Sequence, residues 1–137
     1  MAGWRDELVE AVKTKAEREA EEVARHKKRV AEALSAAELA LSLGSEALRF
    51  TGEKLKEKEQ AVELAEEADK IRLALGEVSV TLELLRESAV VRVTFADGKP
   101  REFDFAKDRH IAPPDVEEYI GRRALEFVRA AQKANPW

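Results

Sequence analysis

The chain has 137 residues, 28 acidic and 24 basic, with a formal charge of −4, which suits one compact domain or a small domain with an extended arm. It has no Cys, which excludes a disulfide scaffold, a thiolate zinc site and a Cys nucleophile. No apolar run approaches the roughly 18 residues of a membrane span, and the start MAGWRDELVEAV lacks a signal-peptide apolar core, so a cytoplasmic protein without membrane contact is expected.

Charged residues make up 38% of the chain, while the only side-chain amides are Asn135, Gln60 and Gln132. That pattern fits a heat-adapted protein, because ion desolvation costs less when hot. A helix-rich protein from a GC-rich genome leaves the same trace. The near-balanced charge provides no global field to attract nucleic acid or anionic lipid. Of the aromatic residues only Trp4 and Phe50 precede residue 95, and the rest are Phe95, Phe103, Phe105, Tyr119, Phe127 and Trp137. Aromatic side chains fill thick cores, whereas Ala-rich faces suit close helix pairing. An extended helical first half and a small globular second half follow.

From Trp4 to about Leu43 there is neither Pro nor Gly, and Ala, Glu, Lys and Arg dominate, residues that lose little rotamer freedom in a helix. Val9, Ala16, Val23, Val30 and Ala37 recur every seven residues, joined by Ala20, Leu34 and Leu41. This is a thin heptad seam, interrupted by Lys13 and Lys27, and it requires a partner helix to be stable. Gly44-Ser45 or Gly52-Glu53 offers a helix stop followed by a restart, so a hairpin tip is expected near Gly44, with Gly52 as the alternative. A second helix then runs from 46 or 53 to Leu75, with Leu48, Leu55, Val62, Ala65, Ala68, Ile71 and Leu75 as its stripe. The run from Glu53 to Glu59 reads as a solvated face of helical ion pairs.

From Val78 the apolar period changes to two: Val78, Val80, Leu82 and Leu84, then Val91, Val93 and Phe95, then Phe103 and Phe105. Asp97-Gly98 marks a turn, and Pro100 belongs at a ladder's edge. These features predict a three-stranded antiparallel meander. Ile111-Ala112-Pro113-Pro114 should break all regular structure, after which Asp115 caps a last helix with Glu118 as its capping-box partner. Val116, Ile120, Ala124, Phe127 and Ala131 form a stripe able to cover the sheet.

Few residues offer chemistry. The two His are His26 and His110, without the convergent spacing a metal centre needs. Asp104, Asp108 and His110 share a loop where they resemble an acid–base group, although polar residues after a strand more often just build the loop. The six Gly are scattered and form no phosphate loop, and there is no nucleophile elbow. No enzyme activity, cofactor or metal is therefore expected. Arg25, Lys27, Lys28 and Arg29 form the one dense basic patch, flanked by Glu21, Glu22 and Glu32. It could hold phosphates, with a steep salt dependence, but no aromatic accompanies it for base stacking.

The order helix–strand–strand–strand–helix over about residues 53–134 resembles that of double-stranded-RNA-binding domains. Where those domains carry a Lys-rich start of the last helix, this chain reads Pro113-Pro114-Asp115-Val116-Glu117-Glu118. The resemblance stops at topology and carries no site residues.

The expected fold is α+β, with a helical hairpin arm over 1–76 and a β-β-β-α lobe over 77–137. The expected function is a non-enzymatic interaction or assembly module. Its coiled-coil-like arm would bind itself or a protein partner through Val23, Val30, Leu34, Ala37 and Leu41. The alternative is a nucleic-acid binder using Arg25, Lys27, Lys28 and Arg29.

Overall fold

The computed structural model describes residues 3–95 and 98–137, so Asp97 of the expected Asp97-Gly98 turn lies outside the described residues. A short helix α1 (Trp4–Ala11) precedes a 43-residue helix α2 (Lys15–Glu57). Five strands follow: β1 (Glu63–Glu67), β2 (Lys70–Leu75), β3 (Val78–Leu85), β4 (Val90–Phe95) and β5 (Arg101–Asp104). Helix α3 (Pro113–Ala134) ends the order. The α+β class is as expected, but the sheet has five strands in the order β1-β2-β3-β4-β5, all antiparallel.

Helix α2 does not turn at Gly44 or at Gly52. Both glycines lie buried inside it, on one stripe with Val30, Ala37, Ala40, Leu48 and Leu55, whose spacing of three, four and seven keeps a single face. A Cβ on Gly44 would come within 2.7 Å of Leu82 Cδ2 and 3.4 Å of Ile120 Cγ1. Gly44 is thus a point of close approach of α2 to both the sheet and α3, and its small size serves packing rather than a turn. The true stop lies at Glu59, a non-Gly residue with φ 59°. There the Gln60 N–H donates to the Leu55 carbonyl at 3.0 Å and the Glu59 N–H to the Lys56 carbonyl at 2.9 Å. This paired pattern closes the helix with a left-handed residue at the position usually held by Gly.

The second expected helix, as far as Leu75, is instead the hairpin β1–β2. Ile71 and Leu73 are buried while Arg72 is exposed, so the period there is two rather than 3.6. Ala68-Asp69 links the two strands, and Gly76 (φ +64°) with Glu77 links β2 to β3. The extra hairpin also removes the likeness to the three-stranded RNA-binding topology. Acidic β1 and the four-residue β5 after Pro100 form the two edges, which discourages further strand pairing.

One face of the sheet carries Ile71, Leu73, Val80, Leu82, Leu84, Val91, Val93 and Phe103, all buried. Helices α2 and α3 pack together and cover it, and one apolar cluster runs from Val30 to Phe127. The α3 stripe holds as expected, with Val116, Ile120, Ala124, Phe127 and Ala131 all buried. The start of α3 differs: Pro113 and Pro114 occupy its first two positions, where a missing N–H costs nothing. Asp115 consequently sits at the third position, and its Oδ2 accepts from the Ala112 N–H at 2.8 Å. The opposite sheet face is polar. The register Glu67↔Lys70↔Glu83↔Arg92↔Glu102 alternates charge across all five strands, with Arg92 3.6 Å from Glu83 and 3.2 Å from Glu102.

Candidate interaction surfaces

The first half of α2 leaves the globular body. From Trp4 to Arg29 no residue is buried, and the first buried residue among those described is Val30. Thr14 caps α2, its hydroxyl accepting from the Glu17 N–H at 3.1 Å. Lys13 then ties α1 to α2, standing 2.6 Å from Glu10 and 2.8 Å from Glu21. These hydrogen bonds and charges raise the Lys13 pKa, and the bond from Lys13 lowers that of Glu10. Arg18 also donates to the Glu10 carbonyl at 3.3 Å. The arm is therefore interrupted at 12–14, and Trp4 and Leu8 of α1 with Val12 just past its end follow at a spacing of four. Their exposures are 68%, 53% and 68%, and neighbouring Val9 is also exposed. An apolar helical face of this kind is normally covered.

The five residues read as a helix-pairing seam separate into two groups. Val30 and Ala37 are buried in the chain's own core, and Leu34 and Leu41 pack half-buried against it. All four belong to the one apolar cluster of the chain's own body. Only Val23 stays exposed, on the arm.

Arg25, Lys27, Lys28 and Arg29 are all exposed on the arm's last two turns, and none forms an ion pair with another described residue. Their near neighbours include Glu22, the half-buried His26, and Glu87 of the β3–β4 turn. The loop residues have structural partners. Asp104 Oδ1 accepts from the Ala106 and Lys107 N–H groups, each at 3.1 Å, and Asp108 Oδ1 accepts from the His110 N–H at 2.9 Å. Both carboxylates thus close the loop's backbone, as Asx turns do. Among the described residues there is no group of three His, Asp or Glu that could hold a metal ion, and no helix is long and apolar enough to cross a membrane.

A surface not anticipated from the sequence lies at the other end of α2. The outer sides of α2 and α3 form a groove of about 1060 Å³ over small residues such as Ala47, Gly121 and Ala124. Phe50, Leu125, Val128 and Trp137 make it apolar, with Phe50, Leu125 and Trp137 60%, 56% and 41% exposed. The signal is a second stripe, displaced by one position from the buried one: Gly121, Leu125, Val128 and Gln132 follow Ile120, Ala124, Phe127 and Ala131. A helix with two adjacent apolar stripes has a face left over after it has packed on its sheet.

A further cleft between α2 and the β1–β2 hairpin is polar. Arg86 donates twice to Asp69, at 2.8 Å each, and once to Glu38 of α2 at 3.3 Å. The first of these contacts holds the Asp69 carboxyl below the ordinary carboxylate value. The arrangement fastens hairpin to helix.

Comparison with protein-family models, with curated proteins and with solved structures finds no match to this chain.

Proposed function

We propose that the protein is a non-enzymatic assembly module whose projecting arm, α1 with the first part of α2, mediates self-association. The observation that carries this reading is the arm itself. A helical segment from Trp4 to Arg29 has no buried residue yet displays Trp4, Leu8, Val9, Val12 and Val23. Isolated short helices are marginal in water, and apolar faces in soluble proteins are retained where something covers them. Light scattering after size exclusion tests it. At tens of micromolar the expected mass exceeds the 15.4 kDa of one chain, and Leu8→Glu with Val12→Glu returns it to that value. A single-chain mass at every concentration contradicts self-association.

A second reading rests on the exposed basic quartet Arg25, Lys27, Lys28 and Arg29, which forms no ion pair with another described residue and could meet phosphates. It predicts binding to a nucleic-acid duplex in low salt that weakens steeply with added salt and disappears in the quadruple Ala variant. Absence of binding in low salt removes this reading.

A further inference from the structure

We infer that the groove between α2 and α3 receives helix α1 of a second copy of this chain, the exchange being reciprocal. The inference rests on the self-association reading and gives it a site. Two unpartnered apolar features occur in one chain, a short helix with Trp4, Leu8 and Val12 on one face, and a groove lined by Phe50, Leu125, Val128 and Trp137. An amphipathic helix laid in a groove between two others is a standard mode of recognition, read through anchors at this spacing.

The features cannot meet within one molecule. The groove begins at Glu46 of α2, roughly 45 Å along the helix from Lys15 at 1.5 Å per residue. Helix α1 is eight residues long, about 12 Å, and its end is tied to the first turns of α2 through Lys13 and Arg18. Since α2 is continuous from Lys15 to Glu57, it acts as a spacer that keeps α1 from its own groove.

A two-fold axis resolves the geometry. When two copies lie antiparallel, each α1 reaches the partner's groove over the same span that separates it from its own, and the assembly closes as a dimer instead of growing into a filament. The size is also suitable. Each contact joins seven large exposed apolar side chains, Trp4, Leu8, Val9, Val12, Phe50, Leu125 and Trp137. At on the order of 100 Å² each, two contacts bring roughly 1,400 Å² together, the scale of a stable specific interface.

The test uses two full-length variants, Leu8→Glu in the arm and Leu125→Glu in the groove, both at exposed positions. Each is expected to unfold as cooperatively as the parent and to associate at least tenfold more weakly. Mixed in equal amounts at high concentration, they should form a mixed dimer, because the arm of the Leu125→Glu chain still fits the groove of the Leu8→Glu chain. The only two Trp, Trp4 and Trp137, lie at the proposed contact, so their emission should shift to shorter wavelength as the mixed dimer forms. If Leu8→Glu abolishes association while Leu125→Glu leaves it intact, the arm assembles the protein elsewhere and the groove assignment is overturned. A mixture that remains at the single-chain mass overturns it too. A parent chain that is itself monomeric removes both the groove assignment and the self-association reading.

Discussion

The two ends of α2 belong to one continuous helix, yet the first is densely charged and the second rich in Ala and Leu, and they are held in different ways. From Val30 to Leu55 the helix stands on the sheet and against α3, with buried residues at intervals of three, four and seven. From Lys15 to Arg29 it has a Thr14 cap, the Lys13 bridges and a Lys15–Glu19 pair at 3.9 Å, but no core. Exposed helical ion pairs contribute only about 0.3–0.5 kcal/mol each. The body end is therefore fixed by packing, whereas the arm is a helix by propensity and by continuity with the anchored part. Buried polar contacts are scarce in both regions, so apolar coverage is what separates them, and the arm is where coverage is missing.

The largest expected contrast comes from truncating one side chain in each region. Leu48→Ala, at a fully buried position, should lower stability by about 2–5 kcal/mol. Val23→Ala on the arm should change that of the single chain by no more than about 0.5 kcal/mol. Denaturant unfolding at low protein concentration checks both, and equal losses would break the comparison. The glycines sharpen it within the body. Gly44→Ala forces a Cβ to 2.7 Å from Leu82, so overpacking of about 1–3 kcal/mol should outweigh the roughly 1 kcal/mol gained in helix propensity. Gly52→Ala meets only Leu73 Cδ1, at 3.4 Å. It should be neutral or stabilising by up to about 1 kcal/mol.

Smaller effects are expected where the helix ends and where the hairpin is fastened. Glu59→Gly relieves a left-handed residue and should raise stability by about 0.5–1 kcal/mol, seen as a higher melting temperature. The Asp69 carboxyl, held below its ordinary value of 3.8 by Arg86, favours the fold in its charged form. Its contribution is present above that ordinary value and is lost as pH falls through the lowered one. Arg86→Ala should accordingly show a slightly smaller loss of melting temperature between pH 7 and pH 3 than the parent. An identical loss would mean that the contact does not couple hairpin to helix.

Strands β3, β4 and β5 and the α3 stripe were legible because each has a clean period against one buried face: Val80, Leu82 and Leu84 in one case, Val116, Ile120 and Phe127 in the other. The hairpin expected at Gly44 or Gly52 was misread because glycine serves close approach as well as turns, while the real stop at Glu59 has no compositional mark. Strand β1 reads Glu-Leu-Ala-Glu-Glu, a sequence without strand propensity that pairs only because Ile71 and Leu73 offer it an edge. Of the interaction surface, the basic quartet and Val23 could be placed from sequence. The groove could not, since Phe50 and Leu125 acquire meaning only when α2 and α3 lie side by side.

Amide hydrogen exchange along α2, followed as a function of protein concentration, tests most directly whether another copy covers the arm. Amides of residues 4–29 should be protected at tens of micromolar and exchange faster on dilution, while those from Val30 to Leu55 keep constant protection, since the chain's own core covers them. Arm amides that exchange equally fast at every concentration would contradict the account.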